Sequence, residues 1–65
     1  MQVIINGAHT ELQDVDSVAA LLRHLGLEGR LAVEINGVIV PRSGFDLQTL
    51  KEGDRIEIVR AIGGG

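Results

Sequence analysis

Sixty-five residues allow one small domain, which at this size buries only roughly 60% of the surface its unfolded chain exposes. The chain is 45% apolar with Phe45 as its single aromatic, carries no cysteine, and spreads a net charge of −3 over scattered acids and bases. These properties exclude a deep multi-residue catalytic cleft beside a core, a disulfide scaffold, a thiolate metal site, a thiol nucleophile and a basic, aromatic nucleic-acid surface.

Residues 2–5 are short, apolar and β-branched, and they stop at Asn6-Gly7, a strong signal for a tight hairpin turn. The return strand is expected over about His9 to Leu12. Val18, Leu21, Leu22 and Leu25 then recur at i, i+3, i+4 and i+7, one face of a helix. Asp16 or Ser17 can cap its start, and Gly26 stands where a left-handed stop is wanted, with Leu27 placed to fold back on Leu22. After a turn at Glu28-Gly29-Arg30, residues 31–36 alternate, with Leu31, Val33 and Ile35 on one side. A second Asn-Gly, at Asn36-Gly37, turns the chain into Val38-Ile39-Val40, and Pro41 ends that strand or holds it at an edge. Residues 42–50 predict one helical turn around Asp46 to Leu50 that tucks Phe45, Leu47 and Leu50 inward. A turn over residues 51–54 leads to a last strand, Arg55 to Arg60, with Ile56 and Ile58 facing the core.

The order is hairpin, helix, hairpin, loop, strand. One amphipathic helix must cover one face of a mixed sheet of about five strands, burying Val3, Ile5, Val33, Ile35, Ile56 and Ile58. After the helix the chain is expected to return parallel to an earlier strand by a right-handed crossover. Together these features predict an α+β, β-grasp (ubiquitin-like) fold over residues 1–62, followed by a flexible tail over 63–65. No apolar stretch approaches the roughly 20 residues needed to span a bilayer. Met1 to Asn6 lacks the basic region and long apolar run of a signal peptide, so a cytoplasmic protein without membrane or nucleic-acid partners is expected.

The sequence closes on Gly63-Gly64-Gly65. A glycine run is usually a linker, and fraying or an expression remnant are the plain alternatives. The functional alternative has a physical basis. Glycine has no Cβ, so the segment can pass through a channel too narrow for side chains. Four residues from Ile62 reach at most about 14 Å, far enough to enter a partner's active site from a docked body. A carboxyl at Gly65 would be a poor electrophile until adenylated, and then open to attack without steric hindrance. With no cysteine to hold sulfur, that carboxyl is the expected attachment point, and the chain is expected to be a protein cosubstrate rather than an enzyme.

Several segments carry a resemblance to a known family: Val3-Ile4-Ile5-Asn6-Gly7, Ser17-Val18-Ala19-Ala20-Leu21-Leu22 and Ala32-Val33-Glu34-Ile35-Asn36. It continues through Ile39-Val40-Pro41-Arg42-Ser43, Leu50-Lys51-Glu52-Gly53-Asp54, Ile56-Glu57-Ile58-Val59 and the double glycine Gly64-Gly65. In these the chain resembles, over essentially its whole length, the ThiS family of sulfur carriers for thiazole formation in thiamine biosynthesis. The resemblance implies that an E1-like enzyme, ThiF, uses ATP to adenylate the terminal glycine carboxylate. Sulfur drawn ultimately from cysteine by a desulfurase then makes a thiocarboxylate, which donates sulfur to thiazole synthase, ThiG. No cofactor is expected on the carrier itself. The small subunit of molybdopterin synthase, usually longer, shares fold and ending. A ubiquitin-like modifier or β-grasp binding module is the alternative of a different class.

His9 and His24 lack a third ligand at useful spacing, and Asp14, Asp16, Glu52 and Asp54 read as capping and turn residues, so no metal site is expected. With Ile56 and Ile58 inward, Glu57 and Val59 face outward, joined by Ile4 and Ala32 and leading on to Ala61 and Ile62. A contiguous apolar patch there, beside the tail, would be a docking surface.

Overall fold

The computed structural model describes residues 1–60. Strand β1 (Gln2–Ile5) turns at Asn6 and Gly7, both at positive φ (48° and 85°), into β2 (Ala8–Glu11). The same two-residue chemistry, Asn36 and Gly37 at φ 52° and 85°, joins β3 (Leu31–Ile35) to β4 (Val38–Val40). Strand β5 (Arg55–Arg60) ends the described chain. The sheet order is β2-β1-β5-β3-β4. Its inner pair β1·β5 is parallel, whereas β1·β2, β3·β4 and β3·β5 are antiparallel. The order of elements predicts that the strand following the helix returns parallel to an earlier one, and it does not. β3 lies antiparallel to β5, and the parallel contact to β1 comes from the last strand.

Helix α1 (Val18–Leu25) keeps the bounds its apolar spacing predicts, and the N–H groups of its first turn find partners. The Ser17 hydroxyl accepts from the Ala20 N–H at 3.1 Å, and Leu21 N–H makes the first i→i−4 bond to Ser17. The remaining free donors, Val18 and Ala19 N–H, bond to Gln48 and Phe45 carbonyls at 3.0 Å each. At the other end Gly26 is left-handed (φ 71°), its N–H bonds Arg23, and Leu27 N–H bonds Leu22, a Schellman closure. Val18, Leu21 and Leu22 are buried, while Leu25, the fourth residue of the expected stripe, lies partly open at the helix end.

These three side chains pack with Val3, Val33, Ile35, Ile56 and Ile58, closed at the rim by Leu12, Val15, Val40 and Leu50. A mixed five-stranded sheet with one face covered by one helix, and its first and last strands side by side, is the β-grasp fold. One segment departs from expectation. The helical turn lies at Arg42–Gly44, a 3-10 turn set by Pro41 (φ −65°), instead of around Asp46 to Leu50. Phe45 is half-buried and Leu50 buried, but Leu47 is 82% exposed. Both Leu47 and Gln48 N–H groups bond the Gly44 carbonyl, which turns the chain before Leu47 can reach the core.

Candidate functional site

The site grows from β5, the strand that leads to the glycines. β5 is flanked by β3 as far as the Leu31↔Arg60 pair and by β1 at Ile4↔Arg55 and Ile5↔Ile56. Gly63, Gly64 and Gly65, read as the threading tail with Gly65 as attachment point, lie outside the described residues. So do Ala61 and Ile62 of the expected docking patch.

The other four patch residues share the sheet face turned away from α1. Val59 pairs with Ala32 and Glu57 with Glu34 across β5 and β3, while Ile4 pairs with Arg55 across β1 and β5. Val59 is 57% exposed, Ala32 and Glu57 are exposed, and Ile4 is half-buried. The apolar members do not form one continuous patch, because Arg55 and Glu57 stand between Ile4 and Val59 on the same face of β5. The face also includes two residues not singled out from the sequence, Glu34 and Ile39, the latter 70% exposed. The two-residue turn at Asn36-Gly37 held the signal: it forces the register 35↔38 and therefore 34↔39, setting Ile39 beside the off-core Glu34.

Glu34 and Glu57 are thus directly opposed carboxylates, an arrangement that disfavours the isolated sheet. At the β3 side of this face the acidic Glu34 and Glu57 lie among the apolar Ala32, Ile39 and Val59, with Arg55 next along β5, so that side is suited to a partner with basic and apolar groups.

Beneath the face, β5 is gripped by two asparagines. Asn6 N–H donates to the Ile56 carbonyl at 2.8 Å, and its side-chain Oδ1 accepts from Ile58 N–H at 2.8 Å while Nδ2 donates to the Ile58 carbonyl at 3.0 Å. Asn36 Oδ1 accepts from Arg55 N–H at 2.9 Å, and its Nδ2 donates to the Asp54 carboxylate at 3.0 Å. That carboxylate also accepts from Lys51 N–H at 2.8 Å, which explains why an acidic residue expected only to serve a turn is buried. Asp14 takes a positive φ (61°) ahead of the helix, and Glu52 accepts from Gln2 N–H at 3.0 Å.

His9 lies opposite Ile4 on the outward face, whereas His24 is exposed in the last turn of α1, on the other side of the sheet. Among the described residues no three His, Asp or Glu side chains gather where they could hold a metal ion. A depression of about 330 Å³ beside β4, lined by Val38, Pro41, Thr49 and Lys51 among others, contains no histidine. Another of about 700 Å³ runs from Met1 and Glu11 to Asp16 and likewise contains none. No helix among the described residues is long and apolar enough to cross a membrane.

The ThiS family model matches residues 3–65, a span that includes all three glycines. The chain is 42% identical over 66 aligned positions to the thiazole synthase of Paramagnetospirillum magneticum and 35% to that of Magnetococcus marinus. All of the chain is covered in both cases, but it spans only 20% of either relative's length. The crystal structure of the thiamine biosynthesis protein ThiS from Geobacter metallireducens superposes with a TM-score of 0.86 at 32% identity, covering 100% of both chains.

Proposed function

The chain belongs to the ThiS family, and on that premise we propose that it is a sulfur carrier of thiamine biosynthesis, a cosubstrate of larger enzymes with no catalysis of its own. The observation that carries the reading is that the family match runs through Gly64 and Gly65 and is not confined to the folded body. A free carboxyl at Gly65 attacks the α-phosphorus of ATP on a ThiF-like enzyme, and pyrophosphate leaves. A persulfide loaded by a cysteine desulfurase then attacks the acyl carbon and AMP departs, giving an acyl disulfide. A second thiol attacks the cysteine sulfur of that disulfide, is oxidised to a disulfide with it, and releases the thiocarboxylate. Gly63, Gly64 and Gly65 thread the enzyme's channel because none bears a side chain. The outward face with Ile4, Ala32, Glu57 and Val59 docks the body, and Ala61 and Ile62 take part in the same contact.

The acceptor is a thiazole synthase. This is supported by the relatives of that name, in which a segment matching the whole chain makes up one fifth of the protein. A cytoplasmic location is supported by the lack of a signal-peptide pattern over Met1 to Asn6 and by the absence of cysteine.

Intact mass of the protein from its native host, before and after a thiol-alkylating reagent, tests the reading. A fraction heavier by the exchange of oxygen for sulfur, and alkylated once, is expected despite the absence of cysteine. Deleting Gly64 and Gly65 should abolish adenylation while the unfolding midpoint stays unchanged. Activation that survives the deletion, or a mass showing conjugation to other proteins, would overturn it.

A further inference from the structure

The ladder between β1 and β5 is short. Its register covers Ile4↔Arg55 and Ile5↔Ile56, after which β1 ends and turns away at Asn6 and Gly7. β5 runs on through Arg60. On its β3 side the pairing continues to the end, but on its β1 side the backbone partner is gone from Glu57 onward. The Asn6 carboxamide takes that partner's place, since it offers a donor and an acceptor side by side as a peptide unit does. Through Oδ1 and Nδ2 it meets both the N–H and the C=O of Ile58, at 2.8 and 3.0 Å. A left-handed conformation (φ 48°), which asparagine tolerates better than most residues, turns the side chain along the direction β1 would have taken.

We propose that Asn6 is a positioning residue for the carrier reaction: its grip on Ile58 fixes the end of β5, so that residues 61–65 start from a rigid base in the docked complex. This rests on the reading of Gly65 as the reacting end. Adenylation requires the carboxylate to approach the α-phosphorus in line, and misplacement by about 1 Å can cost on the order of a hundredfold in rate. Asn36 provides an internal comparison. It grips the same strand with the same side chain and turn type, but at Arg55, the end remote from the glycines.

The test measures ATP–pyrophosphate exchange by a ThiF-type enzyme with wild-type, Asn6→Gly, Asn6→Asp and Asn36→Gly carriers. Glycine keeps the positive φ and removes the side-chain bonds. Aspartate retains the acceptor for Ile58 N–H but turns an oxygen toward the Ile58 carbonyl. For Asn6→Gly, kcat should fall by about tenfold or more with KM within about twofold, and exchange of the Ile58 amide should quicken. Asn6→Asp should lie between it and wild type, and carries the comparison should the glycine variant not fold. Asn36→Gly should keep kcat within about twofold even where its unfolding midpoint drops as far. Equal kcat loss in the Asn6 and Asn36 variants would reduce Asn6 to a structural role, and unchanged kcat in both Asn6 variants would remove the role altogether. Absence of exchange with the wild-type carrier would instead overturn the carrier reading itself.

Discussion

Asp54 is only 8% exposed, and both of its oxygens are engaged, one by Lys51 N–H and one by Asn36 Nδ2. Asn36 in turn uses Oδ1 for Arg55 N–H, so a four-group chain ties the 51–54 turn to the first residue of β5. Asp54→Ala leaves two donors short of partners and is expected to cost about 1–3 kcal/mol in urea unfolding. Asp54→Asn should also destabilise, by at least about 1 kcal/mol, because one of the two positions becomes a donor facing a donor. The Asn36 amide cannot flip to compensate without losing Arg55. A wild-type midpoint for either variant would contradict this network. Read as a sequence, Asn-Gly predicts the turn and its positive φ, and both turns have them. What the carboxamides do next depends on β5, whose Ile58 lies 52 residues from Asn6. No local spacing encodes such a bond; it follows only once β1 and β5 are neighbours.

The same distinction separates elements that were readable from those that were not. α1, the core alternation of β3 and β5 and the two hairpin turns rest on local periodicity and turn chemistry, and they form as their residues predict. Over residues 42–50 the three-residue spacing of Leu47 and Leu50 suggests a helical turn, but hydrogen bonds to another element decide the outcome. Phe45 and Gln48 carbonyls are drawn to the start of α1, Ser17 pairs with Thr49, and Leu47 is left outside. Leu47→Ser should therefore change stability by no more than about 0.5 kcal/mol. Leu50→Ala should cost about 2–5 kcal/mol, much of what a domain this small possesses. Chemical denaturation followed by circular dichroism checks the pair, and similar losses in both would restore the inward helical turn. The sheet order was equally hidden, since placing β5 between β1 and β3 is a matter of global packing. The candidate site divides in the same way. Alternation placed Glu57 and Val59 outward, whereas Glu34 and Ile39 emerge once cross-strand register is followed.

At the scale of the whole molecule, one sheet face is buried by α1 and the other carries Val59, Ala32 and Ile39 around the opposed Glu34 and Glu57. Opposed carboxylates cost the free domain a few tenths of a kcal/mol up to about 1. The ion pair found among the described residues, between the Met1 ammonium and Glu11, is at the Gln2 end of β1 and does not touch them. A basic partner would turn this repulsion into attraction, steering encounter at low salt. Substituting Val59 tests the face without touching the core, because its side chain is 57% exposed and opposite only Ala32. Val59→Asp and Val59→Lys should each shift stability by less than about 1 kcal/mol, the span of strand preference. Both should weaken binding to the adenylating enzyme, measured by calorimetry, since each places a charge where an apolar side chain is desolvated. Their difference reports the sign of the partner surface. If that surface is basic, Val59→Lys binds more weakly than Val59→Asp at low salt, and the gap closes as salt is raised past the point where the Debye length falls below about 10 Å. Unchanged affinity in both variants would remove the outward face from the interface, and equal losses at every salt concentration would leave apolar contact as its only contribution.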